Sequence, residues 1–223
     1  LSVKGNKRRA EDMLQEKRKK FERKPTNDSK DILFTDFLLN WLDMMKNSIE
    51  ITTYASYCYS IKSRIVPYFH GKELLLRDVT PKDIQEFYQH ELNVDGISAN
   101  TVIHHHANVR KALQYAFVTG MISSNPADRV QRPKKQPFKG NIYNEEELET
   151  LFQIVKGTPI ELAVLLGAFY GLRRSEIVGL KWDSVDFFQK TYTIRHTVTQ
   201  VCIDGKELTV ARDRTKTKSS CRT

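Results

Sequence analysis

The chain has 223 residues, and its 36 lysines and arginines against 27 aspartates and glutamates give a formal net charge of +9. With 39% hydrophobic residues, 10 glycines and 7 prolines, the composition excludes collagen-like and wholly disordered proteins and predicts one large or two small globular domains. The longest apolar stretch, Leu162 to Leu172, is much shorter than the roughly 20 residues that cross a bilayer. We therefore predict a cytoplasmic protein with no membrane segment and no signal peptide. Cys58, Cys202 and Cys221 lack the spacing of a disulfide framework or zinc site.

The positive charge is concentrated in three segments. Residues 1–30 carry 11 basic and 5 acidic groups, residues 129–139 carry 5 and none, and residues 210–223 carry 5 and 1. The two stretches between them each have a net charge of −3. Because each lysine or arginine that meets a phosphate releases a condensed counterion, this pattern favours a polyanionic partner. One such segment alone is equally typical of a solvated tail, but three together indicate nucleic acid.

The first 125 residues predict a basic arm followed by a helical body. Residues 1–30 have too few apolar positions for a core and form an exposed helix or a disordered arm. Residues 31–125 show the three-and-four spacing of amphipathic helices. Their predicted helices cover residues 32–45, a stretch from Thr52 or Thr53 to about Pro67, a stretch opened by a Thr80 cap, and a stretch from a Ser98 cap to Gly120.

The remaining sequence predicts a linker and a second domain. Residues 126–142 contain three prolines and five basic residues, which suit a strap around a polyanion or a polar connection between domains. Residues 143–223 begin with a helix capped by Asn144. The almost wholly apolar stretch Ile160 to Tyr170 predicts a helix covered on all sides. Further on, two β-branched segments flank Asp204-Gly205, a strong hairpin signal.

One segment of the second domain carries a family resemblance. Residues 167–187 read GAFYGLRRSEIVGLKWDSVDF, and the ordered motif consists of Gly171, Leu172, Arg173, Ser175, Glu176, Leu180 and Trp182. It resembles the turn after an apolar helix in the tyrosine recombinases, the integrases of temperate phages and conjugative transposons. This resemblance covers nearly all of residues 31–223. It implies a mainly α fold with a small antiparallel β element: an all-helical core-binding domain, then the first half of an α+β catalytic domain.

The resemblance implies specific roles at the catalytic centre. Arg173 is the candidate that grips the scissile phosphate, because a guanidinium fork binds two phosphate oxygens at once. Glu176 is expected to orient Arg173, and Arg174 to contact the DNA backbone. In the sequence TKTKSS, Lys216 is the candidate general acid for the leaving 5′ hydroxyl, with Lys218 as the alternative. An edge-strand lysine that merely discourages aggregation would give the same pattern.

The resemblance also implies a DNA-binding surface and partners. It nominates residues on two helices of the first body and in the linker: Lys62, Arg64, His104, His105, Arg110, Lys111, Arg129, Arg132, Lys134, Lys135 and Lys139. The three consecutive histidines at 104–106 point in three directions on a helix, so we predict no metal there. No cofactor is expected. The implied partners are double-stranded DNA, further copies of the protein in a tetramer, and an excision or directionality factor.

These residues leave alternative functions open. The implied function is site-specific DNA recombination, for integration or excision of a mobile element, through a 3′-phosphotyrosyl intermediate. No tyrosine of this chain has the context of the family's nucleophile, so we expect this chain alone to bind duplex DNA without cleaving it. The alternative is a non-catalytic architectural DNA-binding protein with the same fold. An RNA-binding module is disfavoured because no glycine-aromatic RNA signature occurs.

Overall fold

The computed structural model describes residues 32–213, which divide into two compact units. One unit ends at Pro137 and the other begins at Phe138. The basic arm predicted for residues 1–30, together with Lys216 and Lys218, lies outside the described residues. Helices dominate the first unit, and short antiparallel strands occur only in the second among the described residues, which confirms the predicted fold class.

The first unit is a helical bundle. Its helices are α1 (Phe34–Met45), α2 (Ile51–Ser60), α3 (Val66–Phe69), α4 (Pro81–Asn93) and α5 (Ala99–Val118). A π-helical turn, Ile61–Ile65, joins α2 directly to α3. Pro67 lies just after this turn, where it has no N–H to donate and its ring disturbs the preceding helical turn. The second predicted helix therefore continues past Pro67, with the π turn absorbing the irregularity.

The predicted helix starts are formed by local side-chain hydrogen bonds. The Thr80 hydroxyl accepts from Asp83 N, while Asp83 Oδ2 accepts from Thr80 N at 2.8 Å, which closes a capping box before α4. Ser98 accepts from Thr101 N at 3.2 Å at the start of α5. Since such caps need only residues three apart in sequence, they could be predicted without tertiary information.

The core of the first unit is aromatic and aliphatic. Its largest fully buried side chains come from α1, the π turn, α3, α4 and the 3₁₀ turn Leu76–Asp78. They are Trp41, Tyr88, Phe34, Phe37, Phe69, Phe87, Leu38, Leu42, Ile61, Ile65, Leu76 and Ile84. The Phe34 and Phe69 rings pack edge to face at 5.1 Å, a favoured aromatic geometry. Most of the buried hydrophobic side chains among the described residues therefore lie in the helical unit.

The second unit combines three helices with two small sheets. The helices are α6 (Glu145–Val155), α7 (Glu161–Tyr170) and α8 (Arg174–Gly179). Strands β1 (Val185–Asp186) and β2 (Thr191–Tyr192) pair antiparallel, as do β3 (Thr197–Ile203) and β4 (Lys206–Arg212). Asp204 and Gly205, both at positive φ, make the two-residue turn between β3 and β4. This is the hairpin that the Asp-Gly signal predicts.

Helix α7 is less buried than its sequence predicts. None of its residues is buried, and Leu162, Phe169 and Tyr170 are each more than 60% exposed. The prediction of a helix covered on all sides is therefore wrong for the described residues. A helix is covered only where other elements pack on every side, and the described elements that contact α7 most are α6 and α8. Composition records apolar character, whereas burial depends on neighbours.

Candidate nucleic-acid interface

A cationic cleft runs along α5 of the helical unit. It has a volume of about 850 Å³ and is lined by α5 and by the chain that follows it. Three basic residues, Arg110, Lys111 and Arg132, line it together with one acid, Asp128. A solvent-open cleft with this surplus of positive charge can accept phosphate groups. All three basic residues were nominated from the sequence as DNA contacts.

Two of these cations have hydrogen-bond partners within the protein. Arg110 Nε donates to Asp128 Oδ1 at 2.7 Å, and Lys111 Nζ donates to the Tyr57 hydroxyl at 3.0 Å. Asp128 lies in the 3₁₀ turn Pro126–Arg129, whose Pro126 and Ala127 are buried. The first four residues of the predicted linker thus pack as part of the helical unit. Asp128 was not identified from the sequence, because a single acid in a basic segment gives no signal of its own.

The cations nominated on the π turn are accessible. Lys62 is exposed, and Arg64 is half-buried, with its guanidinium 3.9 Å from the Asp95 carboxylate. His104 is exposed on α5. These three side chains therefore have the accessibility that a contact to DNA requires.

His105 is buried, which contradicts its nomination as a DNA contact. Its side chain is only 3% exposed, and Nδ1 lies 2.6 Å from Oε1 of the fully buried Glu91 on α4. The prediction failed because the partner lies 14 residues away on another helix, beyond any local pattern. A buried carboxylate needs a hydrogen-bonding partner, and His105 supplies it inside the bundle. His105 consequently joins α4 to α5 and does not face a ligand.

His106 lies between the core and the cleft. Its Nδ1 is 3.0 Å from the Tyr88 hydroxyl, and the residue also lines the cleft. Burial, reinforced by the nearby Arg132 and Arg110 guanidinium groups, holds the pKa of His106 below its usual range. The neutral imidazole and the Tyr88 hydroxyl share this hydrogen bond, and the tautomer of His106 decides which group donates.

Acidification is expected to destabilise the helical unit through His106. Since its folded pKa is lower than its unfolded pKa of about 6.5, the unfolded chain binds a proton first as the pH falls. The free energy of unfolding should therefore decrease from pH 7.5 to 5.5, and less so in the His106→Gln variant. Urea denaturation at both pH values measures the difference. An identical pH dependence in the two proteins would contradict this role of His106.

The remaining nominated linker cations are exposed. This is true of Arg129, Lys134, Lys135 and Lys139, and Arg132 is exposed at the cleft edge. Residues 131–144 contain no helix or strand, as the proline-rich composition predicts. Lys139 belongs to the second unit and the other four cations to the first.

In the second unit, the turn between α7 and α8 presents Arg173. Gly171 ends α7 at φ 62°, a left-handed conformation that favours glycine, and Leu172 is buried. Arg173 follows in an extended conformation directly before α8, with its side chain 59% exposed. The turn thus anchors the backbone of Arg173 while leaving its guanidinium accessible.

The buried carboxylate of Glu176 binds Arg173 at two points. The Glu176 side chain is 2% exposed, Oε1 accepts from Arg173 Nη1 at 2.8 Å, and Oε2 accepts from Arg173 N at 2.9 Å. A carboxylate that binds both the backbone and the guanidinium of one residue restricts that side chain's rotation. This geometry agrees with the orienting role expected of Glu176. Arg174, the first residue of α8, is exposed.

The end of the hairpin is tied to the chain before it. Asp213 Oδ1 lies 2.5 Å from His196 Nδ1 and 3.2 Å from Lys181 Nζ. Hydrogen bonds from Lys181 and His196 hold the pKa of Asp213 below its usual range. Neither partner was identified from the sequence, since both are distant from Asp213 along the chain. Lys216 and Lys218, the candidate general acids, follow Asp213 outside the described residues.

The described residues contain neither a metal-binding cluster nor a membrane-spanning helix. Between residues 32 and 213, no group of three or more histidine, cysteine, aspartate or glutamate side chains is arranged to hold a metal ion. No helix in that range is both long and apolar enough to cross a bilayer. Trp182, the last residue of the motif, is 78% exposed and stacks on Phe187.

Comparisons with known proteins agree with this architecture. Residues 33–92 match the family described as phage integrase, N-terminal SAM-like domain. A tyrosine recombinase XerC-like protein of Caldanaerobacter subterraneus is 25% identical over 209 residues, which is 88% of this chain and 52% of that protein. The chain thus spans about half the length of this relative.

Solved structures show the same fold. The Tn1549 transposon integrase in complex with a circular intermediate DNA aligns with a TM-score of 0.64 and 17% identity, over 86% of this chain and 60% of that one. The lambda integrase dimer bound to a COC′ core site aligns with a TM-score of 0.62 and 17% identity, over 82% and 50%. The fold is that of an integrase, with a helical domain before a mixed domain. The chain thus shares the fold of these integrases, and its sequence is similar to those of tyrosine recombinases.

Proposed function

We propose that this chain is the DNA-binding and phosphate-gripping part of a site-specific tyrosine recombinase that cuts and rejoins duplex DNA. The observation that carries the proposal is the Arg173 guanidinium, which is exposed to a ligand and held by the buried Glu176 carboxylate. A phosphodiester under attack accumulates charge on its non-bridging oxygens. A cation already fixed in place stabilises that charge without reorganising during the reaction.

In the proposed mechanism, Arg173 would bind the scissile phosphate, and Glu176 would orient the Arg173 side chain. Arg173 binds Glu176 through Nη1 and its backbone N–H, and its side chain is 59% exposed. The planar guanidinium carries five N–H donors, a geometry that matches phosphate oxygens. Arg174 would add a backbone contact. Lys216, or alternatively Lys218, would protonate the leaving 5′ hydroxyl. An ammonium group suits this task because it can lose its proton, which a guanidinium does not do in proteins.

Duplex DNA is the proposed partner of the helical unit. The proposal is supported by the exposed Lys62 and the half-buried Arg64, by the cleft on α5, and by the basic residues after it. In the Tn1549 and lambda integrase structures, the similar proteins are bound to DNA. The buried His105 is not part of this surface.

The assembly and cellular setting are also proposals. A tetramer on two duplexes is supported by the lambda integrase tetramer bound to a Holliday junction, a chain with a TM-score of 0.61 to this one. We further propose that the protein acts on DNA in the bacterial cytoplasm. The excision or directionality factor rests on the family resemblance alone.

The electrostatic part of the proposal predicts steep salt dependence. A double variant with Lys134→Gln and Lys135→Gln should bind a 30-base-pair mixed-sequence duplex more weakly, and its slope of log affinity against log salt should be shallower by about 2. Fluorescence anisotropy from 50 to 300 mM salt measures both quantities. Lys46→Gln with Lys72→Gln, a matched pair of charge removals elsewhere in the helical unit, should leave the slope unchanged. Binding that does not respond to salt would contradict the proposal.

A further inference from the structure

Two amide side chains attach the chain after α5 to the helical unit. We call residues 130–137 the strap. Gln131 N donates to Gln85 Oε1 at 3.0 Å at one end of the strap. At the other end, Asn100 Nδ2 donates to Gln136 O at 2.9 Å, and Gln136 N donates to Asn100 Oδ1 at 3.1 Å. The strap backbone is therefore held at both ends by side chains, in a segment without regular secondary structure.

The contact made by Asn100 is the more specific of the two. An asparagine amide carries one donor group and one acceptor group, as a peptide unit does, so it can satisfy both backbone groups of a single residue. Asn100 does this for Gln136, which lies 36 residues further along the chain. Two hydrogen bonds to one residue fix its orientation as well as its position.

The formation of helix α5 does not require an asparagine at position 100. Asn100 is the second residue of α5, and the N-cap role belongs to Ser98. Asparagine is a poorer helix former than alanine. A substitution to alanine should accordingly preserve α5 while removing both hydrogen bonds to the strap, so the contact can be tested without unfolding the helix.

The strap between its two anchors is cationic. Arg132, Lys134 and Lys135 lie between Gln131 and Gln136, and all three are exposed. Arg132 also lines the cleft along α5 beside Arg110 and Lys111. Pro133, half-buried between them, restricts the backbone further because its ring fixes φ. The anchors thus hold three cations next to a cleft that already carries two.

We propose that Asn100, assisted by Gln85, is a positioning residue for DNA: it fixes the strap so that Arg132, Lys134 and Lys135 meet phosphates without first being ordered. A free cationic linker loses conformational entropy when it binds, and a preorganised one does not. This inference rests on the proposed DNA-binding function. Asn100 itself carries no charge and acts through the lysines.

Substituting Asn100→Ala tests the inference in the 223-residue chain. The variant should bind the 30-base-pair duplex about fivefold more weakly at 100 mM salt, with its thermal midpoint unchanged. In the background of Lys134→Gln and Lys135→Gln, adding Asn100→Ala should have a clearly smaller effect, since two of the three cations that it positions are gone. Asn93→Ala is the matched control, because between residues 32 and 213 its amide bonds only to Gln89 on the same helix.

Hydrogen exchange provides a direct readout of the contact. The Gln136 amide should exchange faster in Asn100→Ala than in the unaltered chain, and the Gln131 amide should do so in Gln85→Met, a variant of similar shape without the acceptor. Gln85→Met should also weaken duplex binding.

The possible outcomes test the DNA-binding function and the positioning role of Asn100 separately. Failure of the unaltered chain to bind duplex DNA would overturn the proposed function. If the unaltered chain binds and Asn100→Ala binds equally well, the positioning role is wrong. An equal loss of affinity with and without Lys134 and Lys135 would also overturn it, because Asn100 would then act by another route.

Discussion

Replacing Arg173 with alanine in a cleavage-competent protein that contains this chain is expected to reduce DNA strand cleavage about 1000-fold, with duplex affinity changed by less than about threefold. The magnitude follows from the loss of one preorganised phosphate ligand in a phosphoryl-transfer site. Affinity changes little because one contact is lost among many cations. Cleavage is measured as covalent protein–DNA adduct on a duplex selected from a random-sequence pool and nicked near its centre.

The lysine variant separates charge from geometry. Arg173→Lys keeps the positive charge but cannot grip two oxygens while it also binds Glu176, so cleavage should remain strongly reduced. Because Glu176 is 2% exposed, its carboxylate loses a charged partner in Arg173→Ala. Thermal unfolding of both variants must therefore be recorded beside the cleavage rates. Arg77→Ala, an exposed arginine of the helical unit, is the matched control and should cleave normally.

Two results would argue against the recombinase. Unchanged cleavage in Arg173→Ala would place the scissile phosphate elsewhere. If the unaltered protein binds duplex DNA but forms no covalent adduct, the non-catalytic architectural alternative is favoured. The cleavage readout and the affinity readout thus decide between the two functions independently.

Replacing Gly179 with alanine is expected to destabilise the second unit by about 2–3 kcal/mol. Gly179 is the last residue of α8 and is buried against β3. A Cβ atom there would lie 2.7 Å from Thr197 Cα and 2.8 Å from the His196 carbonyl oxygen. Both are backbone atoms that cannot rotate away, so α8 must separate from the hairpin. Because α8 begins directly after Arg173, moving this helix should also displace Arg173. We therefore expect DNA cleavage by a cleavage-competent protein that contains this chain to fall as well.

Gly167→Ala is the matched control for this substitution. Gly167 lies inside α7, where a Cβ atom would meet Ile177 Cδ1 at 3.7 Å, an ordinary van der Waals contact. Removing a helical glycine should stabilise the unit by about 0.5–1 kcal/mol. Urea denaturation of both variants measures the opposite signs. A Gly179→Ala protein as stable as the unaltered chain would show that α8 does not lie against β3.

The sequence anticipated most features that depend on neighbouring residues. The Thr80, Ser98 and Asn144 caps involve residues three positions apart, and the Asp204-Gly205 turn uses adjacent residues, so each was predicted and is confirmed. The contact between Arg173 and Glu176 belongs to the same class, since its two residues are three apart. Such interactions are set by local geometry, which a sequence contains in full.

Features that join distant residues could not be predicted. His105 was nominated for DNA, but it pairs with Glu91 on another helix. Asn100 was overlooked because a neutral amide carries no pattern, and its partner Gln136 is 36 residues away. When two hydrogen-bonded residues are distant in sequence, only the folded structure shows which residue is the partner of the other.

The sequence by itself determined the helical character of the first unit, the hairpin of the second, the clustering of positive charge and the turn that carries Arg173. These follow from periodicity, capping chemistry and composition, which act over a few residues. Only the tertiary structure decided which polar groups are buried, how far α7 is covered, and that the strap is held by Asn100. Burial and long-range hydrogen bonds depend on which elements meet, and that depends on packing of the whole chain.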